Sequence, residues 1–253
     1  MDVKLSPLSA FHEYKIRWKR LLTTETPVPQ GLQINSEKER RALEAIQAVG
    51  VIGKSQLFHQ YLGRNKKKLK KMENFRLIKR HELVKNNDSI PVYTLGATGL
   101  KVLGVPEKGN TWFQMTEWMV LERILFFQLF AKLKDVYEDL EICGTSAPFV
   151  GALYSNFHQK HFDILVVRQN EEQIRDQLTQ FTSKHPILCI CEDLIYLESM
   201  NDILKELKIR VTTDYDIKQC SFEEMFYLWY NASWQKQHEV LRHLDNDKAV
   251  HGT

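Results

Sequence analysis

The segment Arg64-Asn65-Lys66-Lys67-Lys68-Leu69-Lys70-Lys71-Met72-Glu73-Asn74-Phe75 holds the densest concentration of chemically useful side chains in the chain. From Arg64 to Lys85 there are ten Lys or Arg against two Glu, a local charge of +8 in a chain whose formal net charge is +3. The remainder is therefore mildly acidic. Lysines gathered on one element suit a polyanion whose phosphates release counterions on contact. Lysine is a point charge and grips phosphate, whereas Arg64, Asn65 and Asn74 have the paired groups that read base edges. The expected DNA-contacting set is Arg64, Asn65, Lys66, Lys67, Lys70, Lys71 and Asn74, joined by Lys79, Arg80 and Lys85 from the next segment.

Those residues need a scaffold, and the flanking sequence supplies one. Ser36-Glu37-Lys38-Glu39 has the spacing of a capping box. Leu43, Ile46 and Val49 then recur at helical spacing until Gly50. Ser55 is placed to cap a second short helix with Leu57, Phe58, Tyr61 and Leu62 on its apolar side. Gly63 turns the chain, and Asn65 caps a third helix with Leu69, Met72 and Phe75 inward and the lysines outward. Leu77 to Leu83 reads as a half-buried strand, Asn86-Asn87-Asp88-Ser89 as a turn, and Pro91 to Leu95 as the returning strand. Thr98-Gly99-Leu100 opens another short helix. Residues 36–108 thus follow the plan of a winged helix-turn-helix: third helix in the major groove, hairpin against the backbone or minor groove. A unit of the same plan that meets only proteins, its lysines solvated, is the competing reading.

The run from Glu39 through Leu103 resembles the winged-helix domain of the replication-relaxation family of plasmids and other mobile elements. The residues that carry the likeness are Ile46, Ser55-Gln56-Leu57, the basic Lys66 to Met72 helix, Leu77-Ile78-Lys79-Arg80, and Val92-Tyr93-Thr94-Leu95-Gly96-Ala97-Thr98-Gly99. The resemblance covers about a quarter of the chain. It implies binding of double-stranded DNA in replication, transfer or transcriptional control of such an element.

Residues 1–35 form an N-terminal arm or helix with its linker. Phe11 to Leu22 reads as a basic amphipathic helix or a phosphate-tracking arm, and Pro27-Val28-Pro29-Gln30-Gly31 breaks the chain after it. Residues 116–244 alternate helix and strand patterns in the order α-β-β-β-α-β, then α-β. Phe222 to Leu244 reads as a closing aromatic helix, packed on its own domain or against a second copy. Residues 245–253 are a polar tail. The fold class expected is a two-domain α+β or α/β chain.

The αβββαβ order resembles restriction-endonuclease-like domains, and the replication-relaxation family carries a related second half. That resemblance implies a carboxylate in the second strand and a carboxylate-x-Lys in the third, holding Mg²⁺ and positioning water. Here the second strand ends Tyr154-Ser155-Asn156, and the third offers Asp163 with Leu165 in the lysine's place. The domain is therefore expected to be a catalytically inactive scaffold. The alternative is a Mg²⁺-dependent endonuclease with a migrated site using Glu122, Asp163 and Glu192; a second alternative is a protein-interaction adaptor.

No apolar run approaches the roughly 18 residues of a spanning helix, and Met1 to Arg20 contains no apolar core of a secretory leader. Cys143, Cys189, Cys191 and Cys220 lack CxxC spacing, so buried thiols in a reducing compartment are expected rather than a zinc site. The expectation is a cytoplasmic, non-enzymatic double-stranded DNA-binding protein. It needs no metal or cofactor, acts as a homodimer, has no membrane partner, and offers its second domain to a protein partner.

Overall fold

The computed structural model describes residues 6–9, 11–19, 36–86, 88–106, 112–180 and 184–243. The protein is a mixed α+β chain with two sheets. It divides into two compact units, one within Ala10–Phe127 plus Ile142–Gly144, the other within Met1–Ser9, Gln128–Glu141 and Thr145–Thr253. The boundaries differ from a simple cut near residue 110, because the first part of a long helix belongs with the N-terminal unit.

The N-terminal unit contains β1 (Lys15–Arg17), α1 (Glu37–Val49), β2 (Ile52–Gly53) and α2 (Lys54–Gln56), which runs into a π-helical turn, Leu57–Tyr61. Then come α3 (Lys66–Asn74), β3 (Ile78–Lys85), β4 (Asp88–Leu95), α4 (Ala97–Val102) and α5 (Glu117–Lys134) as far as Phe127. The sheet order is β1-β3-β4-β2, with every pairing antiparallel. α1 buries Ala42, Leu43, Ala45, Ile46 and Val49, a stripe at i, i+3, i+4 and i+7. It begins where the capping-box spacing placed it, but Ser36 makes no side-chain cap bond. The amides of Glu39 and Arg40 close instead on the Ser36 carbonyl, and the Glu39 side chain turns inward. Ser55 is likewise not a cap: α2 starts at Lys54 after Gly53, and the Ser55 hydroxyl meets His59 Nδ1 at 3.2 Å.

The basic segment after Phe11 is a strand where a helix was one expectation. Tyr14, Ile16 and Trp18 are more buried than Lys15, Arg17 and Lys19, the two-residue period of a sheet edge. β1 pairs with β3 through Ile16↔Leu83. Residues 20–22 of the same segment, the Pro27 to Gly31 breaker and the 245–253 tail lie outside the described residues.

His81 fastens this edge. Its ring is fully buried; Nδ1 accepts the Lys19 backbone N–H at 2.9 Å, which leaves Nε2 to donate to Thr94 Oγ1 at 2.9 Å. Trp18 meets the ring edge-to-face with centroids 4.9 Å apart. Burial, with Lys79 and Lys19 nearby, lowers the His81 pKa from 6.5 to about 3.

The C-terminal unit holds the rest of α5 and β5 (Leu140–Cys143, of which Ile142 and Cys143 group with the first unit), β6 (Gly151–Ser155) and β7 (Lys160–Val167). These are followed by α6 (Glu171–Thr179), β8 (Ile187–Cys191), a 3-10 turn Leu194–Met200, α7 (Asn201–Leu204) and β9 (Ile209–Thr213). The chain closes with α8 (Asp214–Gln219), β10 (Tyr227–Tyr230) and β11 (Ser233–Lys236). The seven strands lie in the order β11-β10-β9-β8-β7-β6-β5, with β7, β8 and β9 parallel. Two crossovers through α6 and α7 bury Ile174, Leu178 and Leu204 against Leu165, Cys189 and Val211 on one face of the sheet.

Where an aromatic helix from Phe222 to Leu244 was expected, residues 227–236 form a hairpin, and among the described residues of that span only 237–243 are helical. Trp229 lies across from Trp234, ring centroids 5.2 Å apart at 72°, and such cross-strand aromatic pairs stabilise a sheet. Asn231 and Ala232 turn the chain with φ of 49° and 61°, the double left-handed geometry of a tight hairpin. Without Gly in that turn, the apolar spacing read as helical. The expected aromatic helix, read as packing on its own domain or against a second copy, is therefore absent from residues 222–236. Among the described residues, no helix is long and apolar enough to cross a membrane.

A neutral buried imidazole makes stability depend on pH in one direction. The folded pKa lies below the unfolded value, so the unfolded chain binds the extra proton between about pH 6.5 and pH 3. His81 thus supports the fold fully above pH 6.5 and progressively less below it, by up to about 1.4 kcal/mol per pH unit. Denaturant unfolding of wild type and His81→Gln is expected to show the wild-type advantage at pH 7.5 shrinking steadily toward pH 5.

Candidate nucleic-acid interface

α3 presents the lysines as a face. Lys66, Lys67, Lys70, Lys71 and Asn74 are exposed, while Leu69 and Met72 are buried beneath them. Their spacing of i, i+1, i+4, i+5 and i+8 makes one continuous stripe. Among the described residues these four lysines form no ion pair; Lys71 Nζ lies 5.8 Å from the centre of the Phe75 ring. Lys68, on the flank, reaches Glu39 at 4.0 Å. Asn65 caps the helix as expected, accepting the Lys68 amide at 3.1 Å. That bond uses its carbonyl oxygen, so Asn65 cannot offer the same lone pair freely to a base. Arg64 is exposed in the left-handed turn before the cap, at φ 61°.

The hairpin cations are differently placed. Arg80 is held by Glu82 at 3.4 Å, and Glu82 also faces Lys19 at 3.6 Å. Lys85 opposes Asp88 across the turn, with its ammonium 5.7 Å from the Tyr14 ring centre. Lys79 is half-buried. The uncompensated charge therefore belongs to α3, and the hairpin adds less than its composition suggested.

The orientation of α3 is fixed by contacts that the sequence did not announce. The Tyr93 hydroxyl donates to Glu73 Oε1 at 2.8 Å, tying β4 to the last turn of α3. Burial, then the Glu73 carboxylate, holds that phenol protonated well above its ordinary pKa. After β4, Gly96 N–H donates to Leu77 O at 2.9 Å and Thr98 N–H to Arg76 O at 3.1 Å. A Cβ on Gly96 would overlap Arg76 O, and one on Gly99 would overlap Leu77 O. The Leu95-Gly96-Ala97-Thr98-Gly99 run thus clamps the exit of α3, and its glycines permit the approach.

In the C-terminal unit the acids expected of a migrated nuclease site are engaged elsewhere. Asp163, on β7, faces His161 Nε2 at 3.3 Å. Glu192 takes a bond from Arg168 at 3.1 Å, and Arg168 also bonds Asp214. The registers Val167↔Cys191 and Cys191↔Thr213 bring these three together, because each is the next residue after its strand. Burial raises the Asp214 pKa while Arg168 opposes the shift. Asp163 pairs with Ile187, five residues before Glu192, which separates the two acids by about 16 Å along the sheet. Glu122, in the N-terminal unit, lies 3.7 Å from Arg123. Among the described residues no cluster of three His, Cys, Asp or Glu is placed to hold a metal ion. Cys189 and Cys191 are fully buried; burial pushes the Cys189 thiol up to about 12 and Cys191 well above its usual value. Asp193 caps the following turn by accepting the Ile195 amide at 3.1 Å.

Comparison with known proteins adds no relative: no family model, curated protein or solved structure matches the chain.

Removing the clamp is expected to loosen α3 without touching its lysines. Tyr93→Phe should cost about 1 kcal/mol in denaturant unfolding, and Gly99→Ala, which forces Leu77 away, about 2 kcal/mol.

Proposed function

We propose that this protein binds double-stranded DNA through α3, with its N-terminal unit acting as a winged helix-turn-helix. The observation that carries the reading is the exposed, unpaired lysine stripe Lys66, Lys67, Lys70 and Lys71 on a capped helix. The order α1, α2, α3, then the β3–β4 hairpin supports it, since that order lets one helix enter the major groove while its neighbours stay outside. Arg64 and Asn74 are the base-reading groups, with Asn65 chiefly capping. β3 and β4 flank the groove, and Lys79 is their contribution. In this reading the protein belongs with the replication-relaxation type of mobile-element proteins, acting in replication, transfer or transcription.

The C-terminal unit follows the order α5, β5, β6, β7, α6, β8, which supports a nuclease-like scaffold. Leu165 stands where such an enzyme needs lysine, and Asp163 is paired with His161. We read the biochemical event as binding rather than cleavage, and the scaffold as a surface for a second copy or another protein.

Duplex affinity measured by anisotropy across a salt series is expected to fall steeply, by close to one logarithmic slope unit per phosphate neutralised. Replacing Lys66, Lys67 and Lys70 with Ala should weaken every sequence about equally and reduce that slope by about 3. Asn74→Ala should change sequence preference instead. A flat salt dependence in the wild type would sink the groove assignment. Supercoiled plasmid incubated with Mg²⁺ or Mn²⁺ should stay intact; cutting that disappears in Asp163→Ala would replace the binding-only reading with an endonuclease.

A further inference from the structure

An open cleft of about 880 Å³ runs across one end of the C-terminal sheet, within the roughly 300–1,000 Å³ typical of ligand sites. Topology places its walls. The parallel strands β7, β8 and β9 begin there, at Lys160, Ile187 and Ile209, and their antiparallel neighbours β6 and β10 end there. The lining includes Lys160, Lys205, Lys208 and Arg210 and contains no Asp or Glu. All four cations are exposed. Among the described residues Lys205, Lys208 and Arg210 have no carboxylate at ion-pair distance, although the unit is otherwise rich in paired charges.

Arg210 is the informative residue. β9 is flanked on both sides by other strands, and β8 beside it is buried throughout. Strands in such positions read as continuous apolar runs. β9, Ile-Arg-Val-Thr-Thr, departs from that pattern, and Arg210 is its one exposed residue, set between buried Ile209 and Val211 with the buried Leu188 as register neighbour.

The remaining lining is aromatic. Tyr154, Trp229 and Tyr230 contribute rings, and His161 and His185 stack with centroids 3.9 Å apart and planes 21° from parallel. Ring faces beside unpaired cations recognise a planar base carrying phosphate. A duplex offers only its charged exterior to such a cleft, because its base faces are stacked on one another. We infer that the cleft binds a short stretch of single-stranded DNA, Lys205, Lys208 and Arg210 taking the phosphates and Tyr230, which shares the Arg210 face of the sheet, stacking on a base. The site uses residues of the C-terminal unit alone and does not depend on α3 reading a duplex.

The test uses the full chain and a fluorescein-labelled oligothymidylate of about 12 nucleotides, followed by anisotropy, with a labelled duplex in parallel. Lys208 and Arg210 are exposed, so their double replacement by Glu is expected to leave the unfolding midpoint unchanged. That variant should weaken oligothymidylate binding about tenfold or more, and Tyr230→Ala about fivefold or more, with duplex affinity unaltered in both. Oligothymidylate binding that survives the double replacement, or that falls only when Lys66, Lys67 and Lys70 are replaced, overturns the proposal. Equal competition by dTMP and by the oligonucleotide also overturns it, assigning the cleft to a mononucleotide. Failure of duplex binding alone would count against the α3 reading and leave this one standing.

Discussion

The ladder between β3 and β4 is the constraint on which the N-terminal unit depends. It runs from Ile78↔Leu95 to Lys85↔Asp88 without a slip, and a one-residue shift would move every side chain to the opposite face. β1 adds to one edge and β2 to the other. Because His81 pairs with Val92 and Thr94 with Lys79, the two face each other diagonally on one side of that ladder, so the register also sets the imidazole that holds Lys19. The same register aims Tyr93 at Glu73 and delivers Gly96 and Gly99 to the exit of α3. The direction of the lysine stripe is thus inherited from a hairpin that contributes little free charge itself.

Local signals were legible where one residue type decides the outcome. Asn65 capping α3, the turn around Asn86 with its φ of 52°, and the buried run of β8 follow from side-chain chemistry over a few positions. Reading failed where period and composition disagreed. Tyr14, Ile16 and Trp18 alternate as a strand, but the cations between them suggested a helix face. The Trp229 and Trp234 strands lacked a glycine turn, and the pairing that stabilises them joins residues on two strands, so no single segment displays it. Charge was over-read for a related reason: Arg80 and Lys85 count as free in a sequence, whereas Glu82, Asp88 and Tyr14 come beside them only on folding.

The C-terminal sheet treats its two ends oppositely. At the C-terminal end of β7, β8 and β9, Arg168 is buried between Glu192 and Asp214. Desolvated charges are tolerable only when paired, and removing one partner of such a set commonly costs about 3–5 kcal/mol. At the other end Lys205, Lys208 and Arg210 are exposed, with no carboxylate at ion-pair distance among the described residues. Sequence reading marked Glu192 but not its arginine, since the residues lie 24 positions apart and only the parallel registers unite them. It missed the basic end entirely, because Lys205, Lys208 and Arg210 are interleaved with Glu206 and apolar residues, and Lys160, 45 positions earlier, joins them only through the sheet.

Both sheets end in short strands: β1 has three residues and β2 two, while β5 and β11 have four each. An exposed sheet edge is a template for another chain in proportion to the free backbone groups it displays. These edges display few, and Lys15, Arg17 and Lys236 put charge on them. Growth by strand addition, whether as a swapped dimer or as an ordered aggregate, therefore has little to hold on to. Assembly of this chain would then rest on side-chain surfaces rather than on backbone pairing.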